Sequence, residues 1–320
     1  VITSNRINMP QVAEDVLAQG DADLVSMARP MLADSDFMNK AAEDRADEIN
    51  TCIACNQACL DHTFSGKTTS CLVNPRACHE TLLKYEPTEN PKKIAVVGAG
   101  PAGLAYATVA AERGHHVSLY DAASEIGGQF NLAKLVPGKE EFYETLRYYN
   151  RMIEKLRIDL HLNTRADADM LADGGFDNII IATGISPRVP ELEGINHPSV
   201  VGYVDALRGT KPVGSKVAIM GAGGIGFDVA DFISHDGPSG AQNIDVFARE
   251  WGIDFKNHPR GGVTGIEPEV ASAPREIFLM QRKETAVGKG LGKTTGWTHR
   301  LTLSRRGVKM MNGIEYLKID

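Results

Sequence analysis

An α/β fold built from repeated strand–helix–strand units is predicted by three observations. Two glycine-rich turns, Gly98-x-Gly100-x-x-Gly103 and Gly221-x-Gly223-x-x-Gly226, each follow an apolar strand and open a helix. All five cysteines are bunched between Cys52 and Cys78 of a 320-residue chain. A short β-α-β segment precedes them, as in parallel sheets. Apolar residues make up 42% and charged residues 23%, an ordinary globular composition. The net charge of −7 gives no basic face, so no nucleic-acid partner is predicted. No apolar run reaches the roughly 18 residues of a membrane span, and no segment is built like a signal peptide.

Residues 1–47 read as strand, helix, strand. Val1 to Thr3 is a strand end, and Asp23 to Met27 is the second strand. Between them Pro10 to Gln19 reads as a helix, capped by Asn8, with Pro10 in its first turn and Gly20 as its stop. Arg6 and Arg29 lie at the two strand ends. This is the pattern of the last two strands of a (β/α)8 barrel, whose final loops commonly hold a phosphate, and arginine suits that task. The alternative is two solvated surface arginines. Because the chain opens on a strand without a Met, it reads as an internal fragment.

Residues 48–90 hold the cysteines, spaced Cys52-x2-Cys55-x3-Cys59-x11-Cys71, with Cys78 left over. A disulfide-stapled secreted chain would spread its cysteines, so a metal site in a reducing, cytoplasmic compartment is predicted. Three close thiols and one remote suit the corners of a [4Fe–4S] cluster. Structural zinc, which more often uses two separated CxxC knuckles, is the alternative. A Pro- and charge-rich linker, Tyr85 to Lys93, follows.

Residues 91–210 carry the first glycine turn. The strand Ile94 to Val97 enters it, the helix Leu104 to Glu112 leaves it, and a second strand, Val117 to Tyr120, ends at Asp121. Gly98 allows the tight turn, Gly100 a close approach of backbone to pyrophosphate, and Gly103 close helix packing. Asp121 is placed to accept ribose hydroxyls. Gly127-Gly128-Gln129 and the Asp177 to Gly184 segment, ending in Ala182-Thr183-Gly184, match flavoproteins with two dinucleotide sites, so FAD is predicted here.

Residues 211–320 carry the second turn, Gly221, Gly223 and Gly226, between a strand at Lys216 to Met220 and a helix at Phe227 to Ile233. Ile244 to Phe247 reads as the next strand, leading into Ala248-Arg249. An arginine there suits a 2′-phosphate, so NADPH is predicted over NADH, with Arg282 and Lys283 as further basic candidates. Gly288 to Gly296 reads as a loop, and Arg300 to Asp320 as strands joined by turns.

The segments VSMARP, INTCIACNQACLDHTFSGKTTSCLVNPRACHE and EIGGQFNLAKLVPGKEEF, in this order along the chain, resemble the iron–sulfur flavoprotein family of bacterial NADPH-dependent 2,4-dienoyl-CoA reductase, trimethylamine dehydrogenase and the old yellow enzyme barrel. The likeness covers the whole chain. It implies the C-terminal end of an FMN-binding (β/α)8 barrel, an iron–sulfur segment, then Rossmann-like FAD and NAD(P) domains. It implies a [4Fe–4S] cluster on Cys52, Cys55, Cys59 and Cys71, and FMN phosphate at Arg6 and the Ala28-Arg29 pair. FAD would lie at Ala102, Asp121 and Gln129, with Lys139 beside it, and the NADPH pyrophosphate at the Gly221 to Gly226 turn. The family's reaction reduces 2,4-dienoyl-CoA esters in unsaturated fatty-acid β-oxidation, with electrons passing from NADPH through FAD, cluster and FMN to an acyl-CoA. A related enoate reductase, NADH oxidase-like enzyme, amine dehydrogenase or diaphorase-type subunit is the alternative. The family's substrate-facing Tyr and His have no counterpart in this stretch, so no catalytic residue is assigned, and the fragment is expected to be inactive toward dienoyl-CoA.

Overall fold

The computed structural model describes residues 1–237, 239–257 and 265–320. It is an α/β protein whose chain divides into two compact units, residues 1–131 with 141–186, and residues 132–140 with 187–320.

The first unit opens with β1 (Ile2–Ser4), α1 (Pro10–Ala18) and β2 (Leu24–Ser26), the two strands pairing in parallel. Pro10 does open α1, and Gly20 takes a left-handed φ of +72° just past its end. Asn8 does not cap the helix. Met9 holds that position without a side-chain bond, because the Asn8 amide donates to Glu141 Oε1 and to the Cys52 carbonyl. Two short helices follow, α2 (Arg29–Ala33) and α3 (Phe37–Ala42), then a 3-10 turn at Ala46–Glu48 and α4 (Leu60–Thr63) inside the cysteine segment.

The centre of this unit is a parallel sheet of β3 (Lys93–Val97), β4 (His116–Tyr120), β5 (Asp159–His161) and β6 (Asn178–Ile181), in the order β5-β4-β3-β6. After the exposed Lys93, β3 is apolar from Ile94 to Val97, with Ile94 to Val96 buried, as in a parallel sheet covered on both faces. α5 (Pro101–Glu112) starts with proline in its first turn and buries Leu104 and Ala107 against Val96 and Leu119. After α6 (Phe130–Ala133), the amphipathic α7 (Phe142–Lys155) adds Tyr149 and Ile153 to the same core. α7 also anchors the entrance to the cysteine segment: Arg147 Nη2 donates to the Ile49 carbonyl at 2.8 Å, and Lys155 pairs with the buried Glu48 at 2.6 Å. α8 (Ala168–Asp173) precedes β6 and is capped by Asp167.

The second unit adds α9 (Tyr203–Arg208), β7 (Lys216–Met220), α10 (Gly224–Ser234), α11 (Ile244–Trp251), β8 (Glu276–Met280), α12 (Gly296–Arg305) and β9 (Lys309–Met311). Its strands form the parallel order β7-β8-β9. The core joins Phe227, Ala230 and Ile233 of α10 to Ile277 and Leu279 of β8, with Leu303 and the excursion residues Leu132 and Val136.

Two further expectations are corrected. Ile244 to Phe247 is helix, because the Asn243 side chain caps the Asp245 and Val246 N–H groups and Gly252 ends the helix at φ +68°. Arg300 to Arg305 also belongs to a helix, α12, with Leu303 turned fully inward; only Lys309–Met311 of that stretch pairs as a strand. No helix among the described residues is long and apolar enough to cross a membrane.

Candidate cofactor-binding sites

Backbone geometry explains each residue of the first glycine turn. Gly98 has φ +108°, and a Cβ there would stand 2.3 Å from the Ala182 carbonyl oxygen. A Cβ on Gly103 would stand 1.8 Å from the Gly98 oxygen, so helix and turn touch through backbone alone. Gly100, by contrast, faces open space. Gly100 also caps α5 without any side-chain hydrogen bond, so the first-turn N–H groups, where Ala102 sits, keep their capacity for an anion. Gly127 lies against the same turn, donating to the Ala99 carbonyl at 2.7 Å, and Gly128 approaches Gly100 so closely that a Cβ would stand 3.2 Å from its Cα. Gln129 follows on the exposed side. Asp121 Oδ2 accepts from the Ala99 N–H at 2.7 Å and Oδ1 from Ala123 N–H at 2.8 Å. The carboxylate therefore stands at the mouth of the turn, where sequence placed it.

Four cysteines come together although they span twenty positions. Cys52, Cys55, Cys59 and Cys71 line one small cavity with Arg29, Leu32, Ile53, Asn56, Ala58 and Leu72. Residues Ala54 and Asn56 make the loop tight enough by adopting left-handed φ values of +53° and +59°. Backbone N–H groups lie toward sulfur both in this loop and in the one after Cys71. Ala54 donates to Cys52, Gln57 to Cys55, and Val73 and Asn74 to Cys71. Burial pushes the Cys52 and Cys55 thiols up, and the Cys71 thiol to about 11, so these groups become thiolates only with a compensating positive charge. Among the described residues no Cys, His, Asp and Glu side chains converge as a set for a single ion. A shared cavity with sulfur-directed N–H groups fits a polynuclear metal group held by thiolates. Cys78 is exposed and lies outside the lining.

The barrel-end arginines are positioned by neutral and acidic partners in the same unit. Arg6 pairs with Glu141 at 2.7 Å. Arg29 donates through Nη1 to Asn56 Oδ1 and through Nη2 to Asn5 Oδ1, both at 2.8 Å. Ala28 precedes α2 as its cap residue. Glu141, Asn5 and Asn56 carried no sequence signal, since none is a defined position of a spaced motif; Asn56 is one of the x positions between Cys55 and Cys59.

The second turn repeats the first. Gly221 has φ +113° and open space around its missing Cβ, Gly223 is equally open, and a Cβ on Gly226 would stand 1.9 Å from the Gly221 oxygen. The turn is registered alike: Gly98 N–H donates to the Tyr120 carbonyl at 2.7 Å, and Gly221 N–H to that of Met280 at 2.9 Å. The residue after β8 is therefore the counterpart of Asp121. It is Gln281, followed by Arg282 and Lys283. Arg249 is corrected: it sits in the last turn of α11, not at a strand tip, because Asn243 and Gly252 enforce helix. The apolar run Ile277 to Met280 was the signal for the true strand. Lys139, expected at the FAD, falls in the second unit, where its ammonium donates to Asp228 Oδ1 at 2.6 Å, two residues past Gly226. Burial and the Lys139 charge together push the His299 imidazole down.

The family of pyridine nucleotide-disulphide oxidoreductases matches residues 92–320, and the NADH:flavin oxidoreductase / NADH oxidase family matches residues 1–48. The chain belongs to the first of these families over most of its length. Particular relatives narrow the setting. A metal reductase of Desulforamulus reducens is 33% identical over all of this chain and 47% of its own length. A cinnamate reductase of Clostridium sporogenes is 33% identical over 74% of this chain and 35% of its own. The chain thus spans less than half of these relatives. Among solved structures, a 2-naphthoyl-CoA reductase in complex with 2-naphthoyl-CoA superposes with TM-score 0.84 at 30% identity, covering 100% of this chain and 43% of that one. A histamine dehydrogenase of Rhizobium sp. 4-9 shares the fold, with TM-score 0.76 at 21% identity over 98% of this chain and 43% of that one. The matches place the chain among oxidoreductase families named for flavin and pyridine-nucleotide chemistry.

Proposed function

We propose that this chain is the electron-entry portion of an NADPH-dependent iron–sulfur flavoprotein that reduces 2,4-dienoyl-CoA esters. The observation that carries the reading is the order of sites: barrel-end arginines, a cavity lined by four thiols, and two glycine turns of matching geometry. Gly98, Gly100, Ala102, Gly103, Asp121 and Gln129 would hold FAD. Gly221, Gly223 and Gly226 would hold the coenzyme pyrophosphate, and Arg282 its 2′-phosphate, since Gln281 stands where an acid would repel it. Arg6, Ala28 and Arg29 would hold the FMN phosphate, and Cys52, Cys55, Cys59 and Cys71 a [4Fe–4S] cluster.

When bound, these groups supply hydride and one-electron chemistry that no side chain offers. The chain's own residues bind, orient and exclude water. Gly100 and Gly223 leave helix N-termini open to pyrophosphate. Asp121 orients a ribose while fixing the Ala99 N–H of its own turn. Leu32, Ile53, Ala58 and Leu72 keep the thiol cavity apolar. The reduced thiols favour the cytoplasm, and the likeness to a 2-naphthoyl-CoA reductase supports an unsaturated CoA thioester as substrate.

The test is NADPH consumption by the anaerobically prepared holoprotein with a 2,4-dienoyl-CoA. Turnover that needs both substrates, and is slower with NADH, is expected. A second reading, electron delivery to an external acceptor, is favoured by the full-length similarity to a metal reductase. Oxidation of NADPH by ferric chelates, without any dienoyl-CoA turnover, would select it.

A further inference from the structure

We infer that Arg29 is a positioning residue of the four-thiol site: its guanidinium pins the cysteine loop and raises the reduction potential of the cluster that loop would hold. This rests on the reading of Cys52, Cys55, Cys59 and Cys71 as cluster ligands.

Arg29 opens α2, immediately after the end of β2, and its side chain is one wall of the cavity that the four cysteines line. The planar fork spans two loops. Nη2 reaches Asn5, which leaves β1 in a left-handed conformation at φ +78°. Nη1 reaches Asn56, which follows Cys55 at φ +59°. One rigid group therefore ties the strand end to the middle of the tightest part of the cysteine loop. Lysine, a single point donor, has no such span.

The charge matters as much as the geometry. Both partners are neutral amides, so neither bond cancels the guanidinium. Arg6, a short way along the same edge, is instead paired with the Glu141 carboxylate. The three remaining N–H donors can face the FMN phosphate. The charge that Arg29 adds at the cluster is then part of a sum with that phosphate, from which Arg29→Gln still removes one positive charge. The rest of the cavity wall includes the buried Ile53 and Ala58, which lower the local dielectric on that side. Adding an electron to a site already crowded with thiolates is opposed by their repulsion. A fixed cation in the wall stabilises the more negative state more, so the potential rises.

The experiment is a redox titration of the anaerobically isolated holoprotein, followed by the electron paramagnetic resonance of the cluster, with iron counted in each sample. Arg29→Gln with full iron should show a midpoint at least 59 mV lower, a tenfold change for one electron. Arg29→Lys, which keeps the charge, should fall by less than half as much. Asn56→Ala should lower iron retention on gel filtration while the loaded fraction keeps its midpoint, separating the pin from the charge. A fully loaded Arg29→Gln with an unchanged midpoint overturns the inference. If Arg29→Gln holds no iron, loaded Arg29→Lys decides: a midpoint near that of the unaltered protein supports the role of the charge, and a drop of 59 mV or more overturns it. Unaltered protein without iron would instead overturn the cluster reading itself.

Discussion

Cys55 and Cys78 differ in what surrounds the sulfur, and that difference predicts their chemistry. Cys55 lines the shared cavity and accepts a backbone N–H from Gln57, whereas Cys78 is exposed outside it. Cys55→Ser is expected to lose its iron, and Cys78→Ser to keep about four per chain, the content of one cube. Iron analysis of anaerobically purified variants checks this, and stoichiometric zinc would contradict it. Asp231 poses a different problem. Burial pushes its carboxyl up to about 6, against the opposing pull of His235 and Arg306. In the unfolded chain the group titrates near 3.9. Between about pH 4 and 6 the folded protein binds more protons than the unfolded, so this residue's contribution is fully present below that window and declines as pH rises through it. Asp231→Asn, which cannot ionise, should therefore gain stability relative to the parent between pH 4.5 and 7.5. Chemical denaturation at the two pH values checks it, and an equal difference at both would contradict it.

At the scale of elements, coenzyme choice is a matter of which segment is a strand. Ile244 to Phe247 has the apolar content of a strand, but Asn243 and Gly252 bracket it as a helix, with Phe247 and Trp251 meeting one turn apart at 6.0 Å. The strand beside β7 is β8, and its tip carries Gln281, Arg282 and Lys283. Arg282→Ala should narrow the ratio of kcat/KM with NADPH to that with NADH by about tenfold, the effect of roughly 1.4 kcal/mol for a lost charged hydrogen bond. Arg249→Ala should leave the ratio unchanged. Steady-state kinetics with both coenzymes distinguishes the two. The same contrast explains what could be read in advance. Both glycine turns were legible because each step, strand, turn, close packing and helix, leaves its own residue type in sequence. Asp121 was legible because it ends a strand of unmistakable pattern. The Arg249 assignment failed because a four-residue apolar run fits helix or strand, and its caps decide. The partners of Arg6 and Arg29 were invisible because Glu141, Asn5 and Asn56 act through tertiary contacts rather than spacing.

At the scale of the molecule, two units each have a core of their own. The first is built on Val96, Leu104 and Leu119, the second on Phe227, Ala230 and Leu279. Each also carries one of the two glycine turns. Thermal unfolding should show two transitions, and a ligand of one turn should move one of them. FAD at about 100 times its Kd should stabilise the first unit by about 2.7 kcal/mol, and NADP+ the second by a similar amount. Calorimetry with each ligand alone checks this; one transition responding equally to both would contradict it.

The excursion of residues 132–140 into the second unit has a consequence for how the polypeptide is made. Leu132 and Val136 leave the ribosome long before β8, with which they share a core. At about 5–20 residues per second the wait is on the order of 7–29 s. During it, the core that Leu132 and Val136 share with Ile277 and Leu279 stays incomplete. Gene dissection meets the same constraint. A single cut on either side of the loop separates residues 1–131 from residues 141–186, which belong to one unit, so neither half is a clean cassette for transplantation.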